Sequence, residues 1–169
     1  HTFSIGFEGS PDLHYANVVA SHIQSVHHEV KVNEQVFLDN IPETIRIIES
    51  YDTTTVRASV GNMLVAKYIS ENTDNKVVFN GDYSDEVCGG YKYFVNAPSD
   101  EDFDYECKRL VNDICYFDSL RSDRSISSQG LEARVPFSDH AFVEYFFTIP
   151  ESLRRIPDKY LLRMAYEGD

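Results

Sequence analysis

Residues 76–91, Lys-Val-Val-Phe-Asn-Gly-Asp-Tyr-Ser-Asp-Glu-Val-Cys-Gly-Gly-Tyr, hold the groups of this chain best suited to phosphate chemistry. Val77, Val78 and Phe79 form the short apolar run expected of a strand covered on both faces. Asn80 and Gly81 tolerate positive φ and predict a tight turn. Ser84 is then expected to cap a helix, with Asp85 and Glu86 in its first turn, and Gly89-Gly90 ends that helix. A strand, a turn and a helix start place free backbone N–H groups where a phosphate binds. Asp82, Asp85 and Glu86 crowd the same turn, so a phosphate there needs a bridging cation, and Mg²⁺ suits the oxygen donors. The competing reading is a capped helix with a solvated acidic start, and spacing alone favours it.

Two distant cations fit the same chemistry. Arg57 offers a planar fork of donors for phosphate oxygens, following Thr53, Thr54 and Thr55, which are poor helix formers and read as a polar loop. Ser59 is expected to cap the helix that follows. Lys159, just after Pro157-Asp158, falls in the first turn of a helix, where an ammonium is unfavourable without a nearby anion. The alternatives are an arginine paired to a surface acid and a snorkelling surface lysine.

The elements that position these residues follow from periodicity. Phe3, Ile5 and Phe7 alternate with polar or small residues as in a strand. After a turn at Gly9-Ser10-Pro11, Asp12 is expected to cap a helix whose inner face holds Leu13, Ala16, Ala20 and Ile23. His28, Val30 and Val32 suggest a second strand, followed by a helical stretch from about Asn33, interrupted near Pro42. With a third strand at Val77, this order predicts an α/β fold: a parallel sheet with flanking helices and right-handed crossovers, ligands lying beyond the strands' carboxyl ends. The composition changes after Pro98. Acids crowd residues 100–106, read as a solvated face rather than a metal site. Helical spacing then runs through Leu110, Ile114 and Phe117, from about Asp118, over residues 139–147 and again from Lys159. Residues 130–137 read as a locking loop, with Arg121, Asp123, Arg124, Glu132 and Arg134 as a candidate ion-pair network. We therefore expect an α/β core over 1–96 and a helical C-terminal lobe over 97–169.

Composition bounds the function. At 169 residues the chain can bury a core, and 15 basic against 28 acidic residues give a net charge of −13, which argues against nucleic acid and anionic membranes as partners. No apolar run approaches the ~18 residues of a membrane span. Cys88, Cys107 and Cys115 lack metal-type spacing and read as reduced thiols in a cytoplasmic setting. His27-His28-Glu29 puts adjacent rings on opposite strand faces and reads as structure rather than a zinc site. A start at His1 without a leader-like segment reads as a piece of a longer protein.

Asn80-Gly81-Asp82-Tyr83-Ser84-Asp85-Glu86 followed by Gly89-Gly90-Tyr91 resembles the pyrophosphate loop of the asparagine synthetases, usually Ser-Gly-Glu-Gly-Ser-Asp-Glu and then Gly-Gly-Tyr. The resemblance continues in the same order through Gly9-Ser10-Pro11-Asp12, His27-His28-Glu29, residues 51–59, residues 130–137 and Lys159-Tyr160-Leu161-Leu162-Arg163, covering nearly the whole chain. It implies the synthetase half of a glutamine-hydrolysing enzyme with an adenine nucleotide alpha hydrolase-like fold of the ATP pyrophosphatase type. The implied activity is ATP-dependent formation of β-aspartyl-AMP, release of pyrophosphate, and amidation by ammonia drawn from glutamine.

On that resemblance Asp82, Lys159, Arg57, Thr54 and Thr55 are the candidate catalytic residues. Ile5, Asn80 and Gly81 line ATP, while Ser84, Arg57 and Lys159 bind pyrophosphate and Asp85 holds Mg²⁺. The family's Ser-Gly-Gly-x-Asp-Ser loop and its amino-terminal glutaminase domain are not in the chain, which alone is expected to be inactive; the full-length protein could be a homodimer. Asn80 stands for the usual Ser, Asp82 for Glu and Tyr83 for Gly, departures that admit an altered enzyme. The competing functions are a lactam-forming synthetase of the same superfamily and a non-catalytic nucleotide-binding or assembly module.

Overall fold

Alternating apolar residues at Phe3, Ile5 and Phe7 form β1, Thr2–Phe7, and a matching run forms β2, His27–Val32. The two pair in parallel, with Ile5 opposite Val30, joined through α1, Pro11–His22. Then come α2 (Glu34–Asp39), α3 (Ile41–Ile48), α4 (Thr53–Asn72), β3 (Val77–Phe79), α5 (Ser84–Cys88), α6 (Asp100–Asp113), α7 (Asp118–Ser127), β4 (Glu132–Arg134), α8 (His140–Thr148), α9 (Glu151–Arg154) and α10 (Tyr160–Ala165). The computed structural model describes residues 1–168. The chain is mixed α/β, with its strands in two short sheets, β1–β2 and β3–β4.

Several local expectations give way to capping. Ser10, not Asp12, caps α1: its hydroxyl accepts the Asp12 N–H, and Pro11 fills the first helical position, where no N–H is needed. Residues 53–57 are helix rather than loop. Asp52 caps α4 by accepting both the backbone N–H and the hydroxyl of Thr55, at 2.8 and 2.7 Å, which offsets the weak propensity of the threonines. Ser59 is therefore buried in mid-helix and caps nothing. Residues 130–137 contain β4, paired with β3, rather than loop alone. Val77 and Phe79 are exposed, so β3 is not the doubly covered strand its composition suggests; only Val78 turns inward, onto the core.

The chain divides into two compact units. The first comprises His1–Val78 and Leu120–Ala133. In it α4 buries Val60, Met63, Ala66 and Ile69, the last two packing with Ile126 and Leu131. Arg124 donates to the carbonyl of Ile48 and pairs with Glu49, so its partner lies outside the five-residue network expected from the sequence. His28 stacks on Phe3, and the His27 ring lies within hydrogen-bond distance of the Thr2 and Ser4 hydroxyls, which gives both rings structural work.

The second unit comprises Phe79–Ser119 and Arg134–Asp169. Val87 and Cys88 of α5 pack with Phe146 of α8 and with Leu161 and Leu162 of α10. Phe94, Phe103 and Cys107 form a neighbouring cluster against Phe147. The acids of α6 are not merely solvated. Asp104 accepts from Arg154 and Lys108, and Asp100 from Arg155. Arg154 is only 2% exposed, its guanidinium 5.1 Å from the Phe147 ring. A buried cation held this way is costly to remove, because Asp104 loses one of its two counter-charges and a cavity opens beside the rings. Arg154→Ala should lower stability by roughly 3–5 kcal/mol in denaturant unfolding. A loss below about 1 kcal/mol, the level of an exposed pair, would contradict this account.

Candidate functional site

The second unit brings together three of the residues singled out in the sequence. Lys159 Nζ donates to Ser84 Oγ at 2.9 Å and lies 3.0 Å from Asp85 Oδ1. Ser84 and Asp85 open α5, and Lys159 occupies the N-cap position of α10. Leu161 and Leu162 pack against the same cluster that buries Val87, Cys88 and Phe146, which ties the two short helices to a shared core. The lysine's aim also depends on its backbone: Asp158 and Lys159 both adopt the left-handed region, at φ 61° and 52°. Neither is glycine, so both carry strain of the kind that persists where the surroundings impose it.

The turn before α5 differs in detail from the expectation. Asn80 and Gly81 have no positive φ; Tyr83 does, at 75°. This gives a backbone reason for the glycine usual at that position in the asparagine synthetases. Tyr83 instead adds a ring whose hydroxyl is hydrogen-bonded to Ser119. Asn80 closes the turn by accepting the Asp82 N–H at 3.2 Å. Ser84 does not cap the helix. Its hydroxyl donates to the Gly81 carbonyl at 2.9 Å while accepting from Lys159, so its one proton is spent inside the turn. At 5 residues α5 is also too short to supply a useful helix dipole. The positive charge at this turn is therefore the ammonium itself. Two of its three N–H groups face Ser84 and Asp85, and among the described residues one remains for an incoming anion.

Asp85 is part-exposed and Glu86 is buried, so neighbouring carboxyls have separate tasks. Burial pushes the Glu86 carboxyl above its ordinary range, opposed by the hydroxyl that Tyr91 donates to it, and the Asp118 carboxylate beside it raises it further. Burial also pushes the thiols of Cys88 and Cys107 up to about 12, which leaves them protonated and poor nucleophiles. Among the described residues no group of three or more His, Cys, Asp or Glu side chains is gathered for a metal ion. A single carboxylate such as Asp85 fits an ion that takes its other ligands from phosphates and water, the usual habit of Mg²⁺.

The remaining candidates lie in the first unit, or on the turn itself. Ile5 is half-buried on β1. Thr55 is buried in the Asp52 cap, whereas Thr54 and Arg57 are exposed on α4. Asp82 is half-buried on the turn, and Gly81 faces open space, with no atom within 4 Å of where a Cβ would stand. Sequence reasoning named Gly90 and Tyr91 only as part of a helix-ending Gly-Gly-Tyr motif and Asp118 only as a helix start, and gave none of them a role in the site. The Tyr91–Glu86 bond spans five positions across a helix end, and an acid within reach of a tyrosine on the far side of a Gly-Gly pair was the available signal.

A carboxyl whose pKa rises on folding stabilises the fold below the unfolded value, and that stability is lost as pH rises through the folded value. Stability should therefore fall as pH rises above the ordinary glutamate range. Glu86→Gln, which keeps the shape and the acceptor for Tyr91, should flatten that fall. Denaturant midpoints at mildly acidic and mildly alkaline pH measure it, and an unchanged pH slope in the variant would remove Glu86 as the cause.

The asparagine synthase family model matches residues 1–105 and 95–168. Curated asparagine synthetases (glutamine-hydrolysing) align along 98% of the chain, at 49% identity for the Gallus gallus protein and 48% for those of Bos taurus and Homo sapiens. The chain spans 30% of the length of these relatives. No helix among the described residues is long and apolar enough to cross a membrane.

Proposed function

The chain belongs to the asparagine synthase family, and on that premise we propose that it is part of a glutamine-hydrolysing asparagine synthetase. The observation that carries this reading is Lys159, its ammonium held 2.9 Å from Ser84 and 3.0 Å from Asp85 at the turn where a polyphosphate is expected. The full-length protein would join the side-chain carboxylate of aspartate to the α-phosphorus of ATP, breaking the bond to pyrophosphate. Ammonia taken from glutamine would then attack the acyl carbon of β-aspartyl-AMP, releasing AMP and a proton. The proposed fold is the ATP pyrophosphatase type, the setting cytoplasmic, the partner a glutaminase domain of the same polypeptide, and the assembly a homodimer.

The first step brings two anions together and expels a third, so positive charge at the leaving group governs its barrier. Lys159 supplies that charge with its remaining N–H, and Ser84 acts by fixing the lysine. Arg57 and Thr54, exposed on α4, are proposed for the same leaving group, and Thr55 for holding the start of that helix. Ile5, Asn80 and Gly81 are assigned to adenosine. Asp82 is assigned to intermediate formation and the ammonia step. Asp85 would hold Mg²⁺, which when bound neutralises phosphate charge.

In the full-length protein, Lys159→Ala should reduce aspartate-dependent pyrophosphate release by about 100-fold. Release within about twofold of wild type would take the lysine out of the reaction. Tyr83 favours one other reading, a non-catalytic nucleotide-binding module, because its ring and left-handed backbone replace a glycine in the turn. ATP-dependent pyrophosphate release by the full-length protein rejects that module. If the turn is merely slowed by its substitutions, Asp82→Glu with Tyr83→Gly should raise the rate, and an unchanged or lower rate clears Tyr83 and Asp82 of that suspicion.

A further inference from the structure

Two glycines follow α5, and the structure needs them for different reasons. Gly89 sits at φ 62°, and a Cβ there would come within 2.5 Å of the Phe103 ring. Backbone and core both demand glycine at that position. Gly90 is not among the residues with positive φ, so its backbone conformation admits any L-residue. Space is the constraint there: a Cβ would stand 2.5 Å from Lys159 Cε and 3.0 Å from Asp85 Cγ, and closer still to Asp85 Oδ1. Nor can the backbone retreat freely, because the Gly90 N–H donates to the Asp85 carbonyl at 2.8 Å.

We propose that Gly90 is a positioning residue for the pyrophosphate step, its lack of a side chain being what lets the Lys159 stem and the Asp85 carboxylate converge beside Ser84. The obstructed atoms are the far ends of two flexible, part-exposed side chains, not backbone or core. A methyl group at 90 is therefore accommodated by swinging them aside, at little cost to the fold. What moves is the ammonium. Its 2.9 Å bond to Ser84 and 3.0 Å approach to Asp85 are not expected to survive together, because the Lys159 stem and the Asp85 carboxylate are the groups a Cβ at position 90 displaces. Gly90 touches neither substrate nor reacting atoms; it acts through the lysine.

This inference rests on the synthetase reading, and the test separates the two. Binding of inorganic pyrophosphate with Mg²⁺ to the full-length protein is measured by calorimetry for wild type, Gly90→Ala, Lys159→Ala and the double variant, with melting temperatures alongside. Gly90→Ala is expected to weaken binding by about tenfold or more, the loss of a charge-assisted hydrogen bond, with its melting temperature unchanged. The double variant is expected to bind no worse than Lys159→Ala alone, because a residue acting through the lysine has nothing left to misplace. Wild-type binding with an unimpaired Gly90→Ala, or losses that add in the double variant, overturns the inference alone. A wild-type protein that does not bind the Mg²⁺–pyrophosphate pair overturns the synthetase reading and the inference with it. Should Gly90→Ala fail to fold, Gly90→Ala with Asp85→Ala relieves the tightest contact. Folding regained with binding weaker than that of Asp85→Ala alone supports the role, and persistent misfolding, or binding equal to that of Asp85→Ala, overturns it.

Discussion

A lysine ammonium placed against a serine hydroxyl 75 positions away in the chain, and against the carboxylate beside it, is the interaction on which the second unit turns. An ammonium at the start of a helix opposes the helix dipole, and α10 is too short to impose much of one. Counter-charge from Asp85 and the hydroxyl of Ser84 make the location tolerable. Packing supplies the distance: the cluster that buries Val87 and Cys88 also takes Leu161 and Leu162, so hydrophobic burial and the ion pair are one construction.

The same short helix separates two kinds of acid. Consecutive positions on a helix point about 100° apart, so Asp85 reaches the part-exposed side while Glu86 turns into the interior beside Tyr91 and Asp118. One carboxylate is left available to cations, and the other is built into the floor beneath it. The buried thiols of Cys88 and Cys107 belong to that floor, and their raised pKa values make them packing groups.

Much of the first unit was legible. Alternation marked β1 and β2, and the turn at Gly9-Ser10-Pro11 marked the start of α1 to within two residues of its true cap, because these signals are local. The misreadings have two causes: a neighbour distant in sequence, or a side chain doing a backbone's work. Asp52 overrode the helix reluctance of three threonines through its bonds to Thr55. The apolar run at β3 was read as buried, yet with β4 as its one partner strand among the described residues, Val77 and Phe79 lie exposed. At the site, periodicity could not join residue 84 to residue 159; resemblance could. Even resemblance did not reveal that Tyr83 holds a left-handed backbone, or that Ser84 donates inward to Gly81. Both follow from the conformation of a turn that residue types alone leave open.

Arg154 and Arg155 fasten the end of α9 to α6 through Asp104 and Asp100, and only Ile156, Pro157 and Asp158 separate that fastening from Lys159. Pro157 has a fixed φ and Asp158 a left-handed one, so this spacer behaves as a rigid tether of set length. Its ends answer to different masters, a structural anchor and a chemical tip. Sequence drift within the three positions is therefore far more tolerable than a change in their number, since adding or deleting one residue would leave the anchor intact and swing the ammonium out of register with Ser84.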